Sequence, residues 1–231
     1  MLDSSTKTWR VDLSHPIAEG YGNLPGHPPT KLVPIHTHTQ HGRSNAYLSM
    51  SIHVGTHIDA PYHFFPQGFT IDQEPLDKFC GLAILLDLQK RCQPNYGFSR
   101  DDLIEALASI GSPNISSLRV LLHSGWGKKY GSLEYYQNNP YLSIEAATWL
   151  VEQKVALVGL DFPPDAKGGA APAPVHQVLL RENICILENV AHMEQIPETI
   201  FELICLPIKL AQAGGAPARV LARALKNLSI M

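Results

Sequence analysis

The chain has 231 residues, 45% apolar and 17% charged, with a formal charge of −3; that length and balance describe one globular domain over residues 1–231 and exclude a disordered or fibrous chain. The near-neutral charge carries no basic footprint for nucleic acid, and no uninterrupted apolar run approaches the roughly 18 residues that a membrane span needs. The opening "MLDSSTKTWRVDLSHPI" has no apolar signal core, and Cys80, Cys92, Cys185 and Cys205 are too far apart for a zinc ribbon or a redox pair, so reduced thiols in a cytoplasmic protein are expected.

In chain order, residues 9–13 predict a short strand and "GYGNLPGHPPT" (20–30) a turn-rich loop. "AYLSMSIHV" (46–54) alternates, with Leu48, Met50, Ile52 and Val54 on one face. It predicts a half-buried strand that delivers His53 onto its polar face. "GLAILLDL" (81–88) and "RVLLHSG" (119–125) read as buried strands. "SRDDLIEALASI" (99–110) opens on a serine cap with acids in its first turn, which predicts an amphipathic helix, and "SIEAATWLVEQK" (143–154) predicts a second. "VALVGLD" (155–161) is a strand ending in an acid, and 162–174, "FPPDAKGGAAPAP", is loop. A short helix over 174–183, the strand "ICILENV", a last strand "FELICLPIKL" and a turn at Gly214–Pro217 complete the pattern. Strands and helices alternate in the middle of the chain, and one mixed α/β domain follows.

The stretch "HVGTHIDAPYH" (53–63) gathers three histidines and an aspartate, the ligand types that zinc and manganese take. On a straight strand His53 and His57 would stand about 13 Å apart at ~3.3 Å per residue, too far to share one ion without strain. Gly55 can bend the chain between them. His57 and Asp59 are two apart, so an extended segment points both the same way; Pro61 holds the segment extended, and His63 follows on the same side. A carboxylate at Glu188, inside an apolar strand, needs a metal or a cation as partner, and His176 opens the short helix before it. "HTHTQH" (36–41) has as many histidines but no acid and no Gly or Pro frame, and reads as an exposed loop or strand edge.

"HVGTHIDAPYH" resembles the H-x-G-T-H-x-D-x-P-x-H signature of the cyclase-like metal hydrolases, a family that includes bacterial kynurenine formamidase and isatin hydrolase. The likeness continues through "VDLSHPI", "LPGHPP", "GLAILLDL", "LLHSGWG", "NPYLSIEAATWLVEQKVALVGLD" and "HQVLLRENICILENV". It implies a swivelling β/β/α fold with a mixed sheet or barrel and flanking helices, assembled as a homodimer or homotetramer. It also implies His53, His57 and Asp59 as ligands of a first ion, Asp59 bridging to a second held by His176 and Glu188, and His63 as the catalytic histidine. The chain departs from the formamidase pattern at Leu24, where those enzymes carry tryptophan, at His27, where an acid is common, and in "DFPPDAKGG", which lacks a Pro-Ser-x-Asp form.

Two divalent ions, zinc or manganese, would bring water toward a pKa of about 7. The resulting hydroxide would attack the carbonyl of a small amide, lactam or aryl formamide, with His63 carrying the proton to the departing amine. Leu24, Phe64, Phe65 and Trp126 are candidates for the substrate pocket. A cyclase, dehydratase or lactone hydrolase using the same ions as Lewis acids is the alternative enzyme, and a non-catalytic metal-binding protein is the alternative of another class.

Overall fold

In the computed structural model, which describes residues 10–169 and 171–225, a short strand, β4, is the seam on which a barrel closes. In chain order the elements are β1 (Arg10–Asp12), β2 (Lys31–His36), the one-turn helix α1 (His38–His41), β3 (Asn45–Ser49), β4 (His57–Asp59), β5 (Cys80–Asp87) and β6 (Gly97–Phe98). Then come α2 (Arg100–Ala108), β7 (Arg119–His123), α3 (Leu133–Gln137), β8 (Tyr141–Leu142), α4 (Ile144–Glu152) and β9 (Leu157–Leu160). The turn α5 (Ala166–Gly169), α6 (Pro174–Arg181), β10 (Cys185–Glu188), β11 (Ile200–Pro207) and β12 (Gly215–Arg223) follow.

The main sheet runs β1-β12-β11-β5-β7-β9-β10-β4, and β4 also pairs with β12. That last pairing closes seven strands into a ring, with β1 appended outside it, so the ring leaves no free edge to solvate. β5, β7, β9 and β10 run parallel to their neighbours, and β4, β11 and β12 join antiparallel. Alternation along each strand divides the core in two. Ile58, Leu121, Leu187, Phe201, Leu203 and Ala216 fill the inside of the ring, while Val120, Leu122, Val158, Leu160 and Ile186 pack outward against the helices. Each such side chain removed from water contributes about 1.5–3 kcal/mol.

Helix α2 begins where its sequence dictates. Ser99 caps the backbone of Asp102 and the Asp102 carboxylate returns the bond, a capping box. Ser143 caps α4 singly, its side chain accepting the Ala146 N–H. All four cysteines are free thiols, and among the described residues no helix is long and apolar enough to cross a membrane.

Several expectations are corrected. The alternating segment 46–54 is a strand only over Asn45–Ser49, and all five of its residues are exposed. Among the described residues its single partner is β2 and no layer covers the pair, so alternation without a second layer buries neither face. His53 therefore arrives on a bend, not on a strand. Pro61 does not prolong an extended segment either; it opens a 3-10 turn, Pro61–His63, as its fixed φ allows. The expected turn at Gly214–Pro217 is strand from Gly215 onward, because the antiparallel partner β4 satisfies its backbone. The strand expected over 9–13 is β1, with Trp9 outside the described residues.

Candidate metal centre

The register of the seam decides which side chains meet. Glu188 lies opposite His57 and Ile186 opposite Asp59 in the β10–β4 pair. Gly215 lies opposite Asp59 and Pro217 opposite His57 in the β12–β4 pair. Since Ile58 points into the ring, its neighbours His57 and Asp59 point outward, onto the face where Glu188 joins them from β10. Gly55, at φ +65, takes the left-handed backbone that turns the chain into β4. His53 swings round that bend until its Nδ1 is 2.6 Å from Asp59 Oδ1. Helix α6 covers the same face and brings His176, whose Nε2 is 2.9 Å from Glu188 Oε1 and 3.4 Å from Asp59 Oδ2.

Ligand atoms of His53, His57 and Asp59 lie within 4.8 Å of one another, and so do those of Asp59, His63 and His176. Asp59 belongs to both groups. The expected second set included Glu188, which the structure places beside His176; the geometry adds His63 to the same corner. His63 leaves the 3-10 turn with its ring centroid 4.1 Å from that of His53 and 4.7 Å from that of Phe64.

The donors are oriented before any ion arrives. His57 Nδ1 donates to Gly55 O at 3.0 Å, which leaves Nε2 toward Asp59. His176 Nδ1 bonds Asp165 Oδ2 at 2.6 Å, which fixes the ring so that Nε2 faces two carboxylates. A neutral imidazole in that tautomer turns a lone pair on carboxylate oxygens, an arrangement that requires a cation between them or a proton on the ring. The titration behaviour agrees. Burial opposes charge on Asp59, but His53 and His57, with hydrogen bonds from His176 and His53, hold its carboxyl well below the usual range. Burial works against His176 too, yet bonds to Asp165, Asp59 and Glu188 raise it well above an ordinary histidine, and the Asp59 charge raises His53 despite desolvation. Divalent ions would take the place of these protons. The residues present therefore fit such a group.

His63 differs from the rest. The residue as a whole is exposed, but its ring lies among His53, Phe64 and His176. Desolvation first, offset by Asp59 and reinforced by His53 and His176, pushes its pKa down to about 4. It is a neutral imidazole at neutral pH, able to accept a proton.

A cavity of about 230 Å³ opens over the cluster, lined by His53, His57, Asp59, His63, His176 and Glu188 together with Leu24, His27, Phe64 and Tyr136. Leu24 and Phe64 stand where the sequence placed them. Phe65 and Trp126 do not line it: Phe65 lies under Arg181, and Trp126 is buried with Nε1 donating to Tyr135 O. Their apolar area goes to core packing instead. In "HTHTQH", expected as an exposed loop or strand edge, His36 ends β2 half-exposed and 38–41 form the exposed helical turn α1.

Sequence reasoning missed the supports. The Asp165 carboxylate accepts the Val175 and His176 N–H groups and so caps α6 while holding the His176 ring; an acid in a Pro/Gly loop ahead of a helix was its only signal. Asn189 donates to Gly55 O at 2.9 Å and accepts from Tyr135 OH at 2.7 Å, tying the bend before β4 to the end of β10. His27, bonded to Ser51 Oγ at 2.9 Å, reaches the cavity from the N-terminal loop.

Comparison with known proteins places this arrangement. The chain is 30% identical over 226 residues to a kynurenine formamidase of Bacillus cereus, covering 94% of this chain and 98% of that protein. Isatin hydrolase A from Labrenzia aggregata, solved with benzyl benzoate, superposes with a TM-score of 0.83 at 26% identity, over 93% of each chain. A structure described as a potential metal-dependent hydrolase with cyclase activity gives 0.73 at 25% identity, over 92% of this chain and 96% of that one. The Cyclase family model matches residues 11–164, and the chain belongs to that family.

Proposed function

We propose that the protein is a metal-dependent hydrolase of the arylformamidase type, cleaving the carbon–nitrogen bond of a small amide, lactam or aryl formamide. The observation that carries this reading is the convergence of His53, His57, Asp59, His176 and Glu188 on one face of the seam, with a neutral, non-buried His63 beside them. The similarity to a kynurenine formamidase and to an isatin hydrolase supports it.

Two divalent ions held by His53, His57 and Asp59 and by Asp59, His176 and Glu188, zinc or manganese, would supply the positive field that favours hydroxide near neutrality and stabilises negative charge growing on a carbonyl oxygen. The chain's own residues do the rest. His63 Nε2 or Nδ1 takes the proton released as water attacks and returns it to the departing nitrogen, without which an amine does not leave. Asp165 keeps His176 turned inward, and Leu24, Phe64 and Tyr136 wall the cavity so that the flat remainder of the substrate lies against apolar surface. We read the enzyme as a cytoplasmic homodimer or homotetramer acting on a small molecule; the uncovered β2–β3 hairpin, where Leu32, Val33, Ile35 and Tyr47 each expose 50–59%, supports assembly.

The test is product analysis on metal-loaded protein with N-formylkynurenine, isatin, and simple lactones and lactams in ¹⁸O-labelled water. Incorporation of one solvent oxygen into the acid product of an amide, lactam or formamide supports the reading, and incorporation from the lactones alone indicates a lactone hydrolase. Turnover without incorporation indicates a cyclase or dehydratase instead, and no turnover on any of them contradicts the reading.

A further inference from the structure

Two glycines at the mouth of β12 are not explained by backbone conformation. Neither Gly214 nor Gly215 is among the left-handed glycines, so any residue could adopt their φ. What they lack is space. The β4–β12 register puts Gly215 opposite Asp59, so its missing side chain would project onto the face that carries the ligands. A Cβ there would stand 3.0 Å from His53 Cε1, 3.1 Å from Asp59 Oδ1 and 2.7 Å from Ile58 O. A Cβ on Gly214 would stand 2.8 Å from His63 Cα and 3.0 Å from its backbone nitrogen, while Gly214 O accepts the Ala60 N–H at 2.8 Å and fixes the start of the turn that carries His63. Both glycines thus touch different parts of one site.

We infer that Gly214 and Gly215 are positioning residues, with Gly215 leaving the space in which His53 and Asp59 meet and Gly214 setting where His63 stands. The inference rests on the metal-hydrolase reading for its meaning, but its physical content is separate. The candidate ligands come from β4, β10, α6 and the bend before β4, and β12 closes against them only where no side chain intervenes.

The experiment is calorimetric titration of metal-free protein with zinc or manganese ions alone, with imidazole nitrogen NMR of the histidines. Gly215→Ala should fold, by far-UV dichroism, and bind the ions about tenfold or more weakly, the scale of losses seen when a ligand's support is disturbed. Gly214→Ala should keep wild-type affinity while the His63 ring resonances move and those of His57 do not. Ala216→Gly, whose side chain faces the inside of the ring, should lower the melting temperature and leave ion affinity unchanged, which separates loss of strand stability from loss of positioning. A Gly215→Ala chain that binds ions like wild type, or that fails to fold, overturns the assignment for Gly215. Unmoved His63 resonances in Gly214→Ala overturn it for Gly214. None of these readouts requires turnover, so absence of hydrolysis would strike the functional reading and not this one.

Discussion

Two histidine-rich stretches lie within thirty residues of each other in the chain and end in opposite situations. "HTHTQH" tops the β2–β3 hairpin, where every residue of α1 is exposed, the His36 and His41 rings lie 4.8 Å apart and His41 Nδ1 accepts the Thr37 N–H. "HVGTHIDAPYH" enters a strand paired on both edges, with helix α6 over its outer face. Both stretches hold three histidines, but only the second adds Gly55, Asp59 and Pro61, and only the second gains a covering layer. Burial supplies Asp165, Asn189 and Glu188 as fixed partners for the imidazoles, and desolvation makes an unpaired charge there so costly that the donors must share something positive. Local sequence gathers imidazoles in both stretches; the fold decides which of them meet carboxylates.

The comparison can be broken from either side. The largest loss is expected at the seam itself, on replacement of Asp59, which belongs to both groups of candidate ligands, taken up below. Next is His63→Ala, which should retain its ions by elemental analysis while turnover falls about 10²-fold or more, the usual contribution of a positioned proton carrier; loss of metal in that variant would make His63 a ligand. Glu188→Gln should lower bound metal from about two ions per chain toward one, and full retention would remove Glu188 from the second site.

A smaller effect tests burial away from the ions. His15, stacked on Tyr130 at 3.9 Å, has its pKa pushed down to about 4, first by desolvation and then by His192. The folded chain then binds fewer protons than the unfolded one between pH 4 and the ordinary value of 6.5, so stability rises with pH across that window and is lost as pH falls through it. His15→Phe should flatten this part of the melting-temperature profile, and an unchanged slope would show that His15 is not its source. The smallest effect belongs to the hairpin: replacing His36, His38 and His41 together with alanine should leave metal content and turnover at wild-type values, and a drop in metal content would erase the contrast between the two stretches.

Local signals carried far in this chain. The capped helices α2 and α4 and the apolar strands β5 and β7 were legible, and so was the clustering of His53, His57 and Asp59, because capping, apolar runs and close spacing act over a few residues. What failed was long-range. Whether 46–54 finds a second layer, whether Gly215–Pro217 meets a partner strand and whether Phe65 and Trp126 face the cavity or the core depend on barrel closure, which no window of sequence contains. Asp165 was missed for a related reason: its role is defined by His176, eleven residues on, across a loop whose path the sequence leaves open.

The most direct measurement is metal reconstitution of Asp59→Asn beside the wild-type chain, following hydrolysis of an amide that the wild-type enzyme turns over. The account predicts that chelation abolishes wild-type activity, that zinc or manganese restores it, and that Asp59→Asn binds neither ion firmly and stays at least about 10³-fold below wild type at any metal concentration. Wild-type activity that survives complete metal removal, or an Asp59→Asn chain restored to wild-type turnover by added metal, would contradict it.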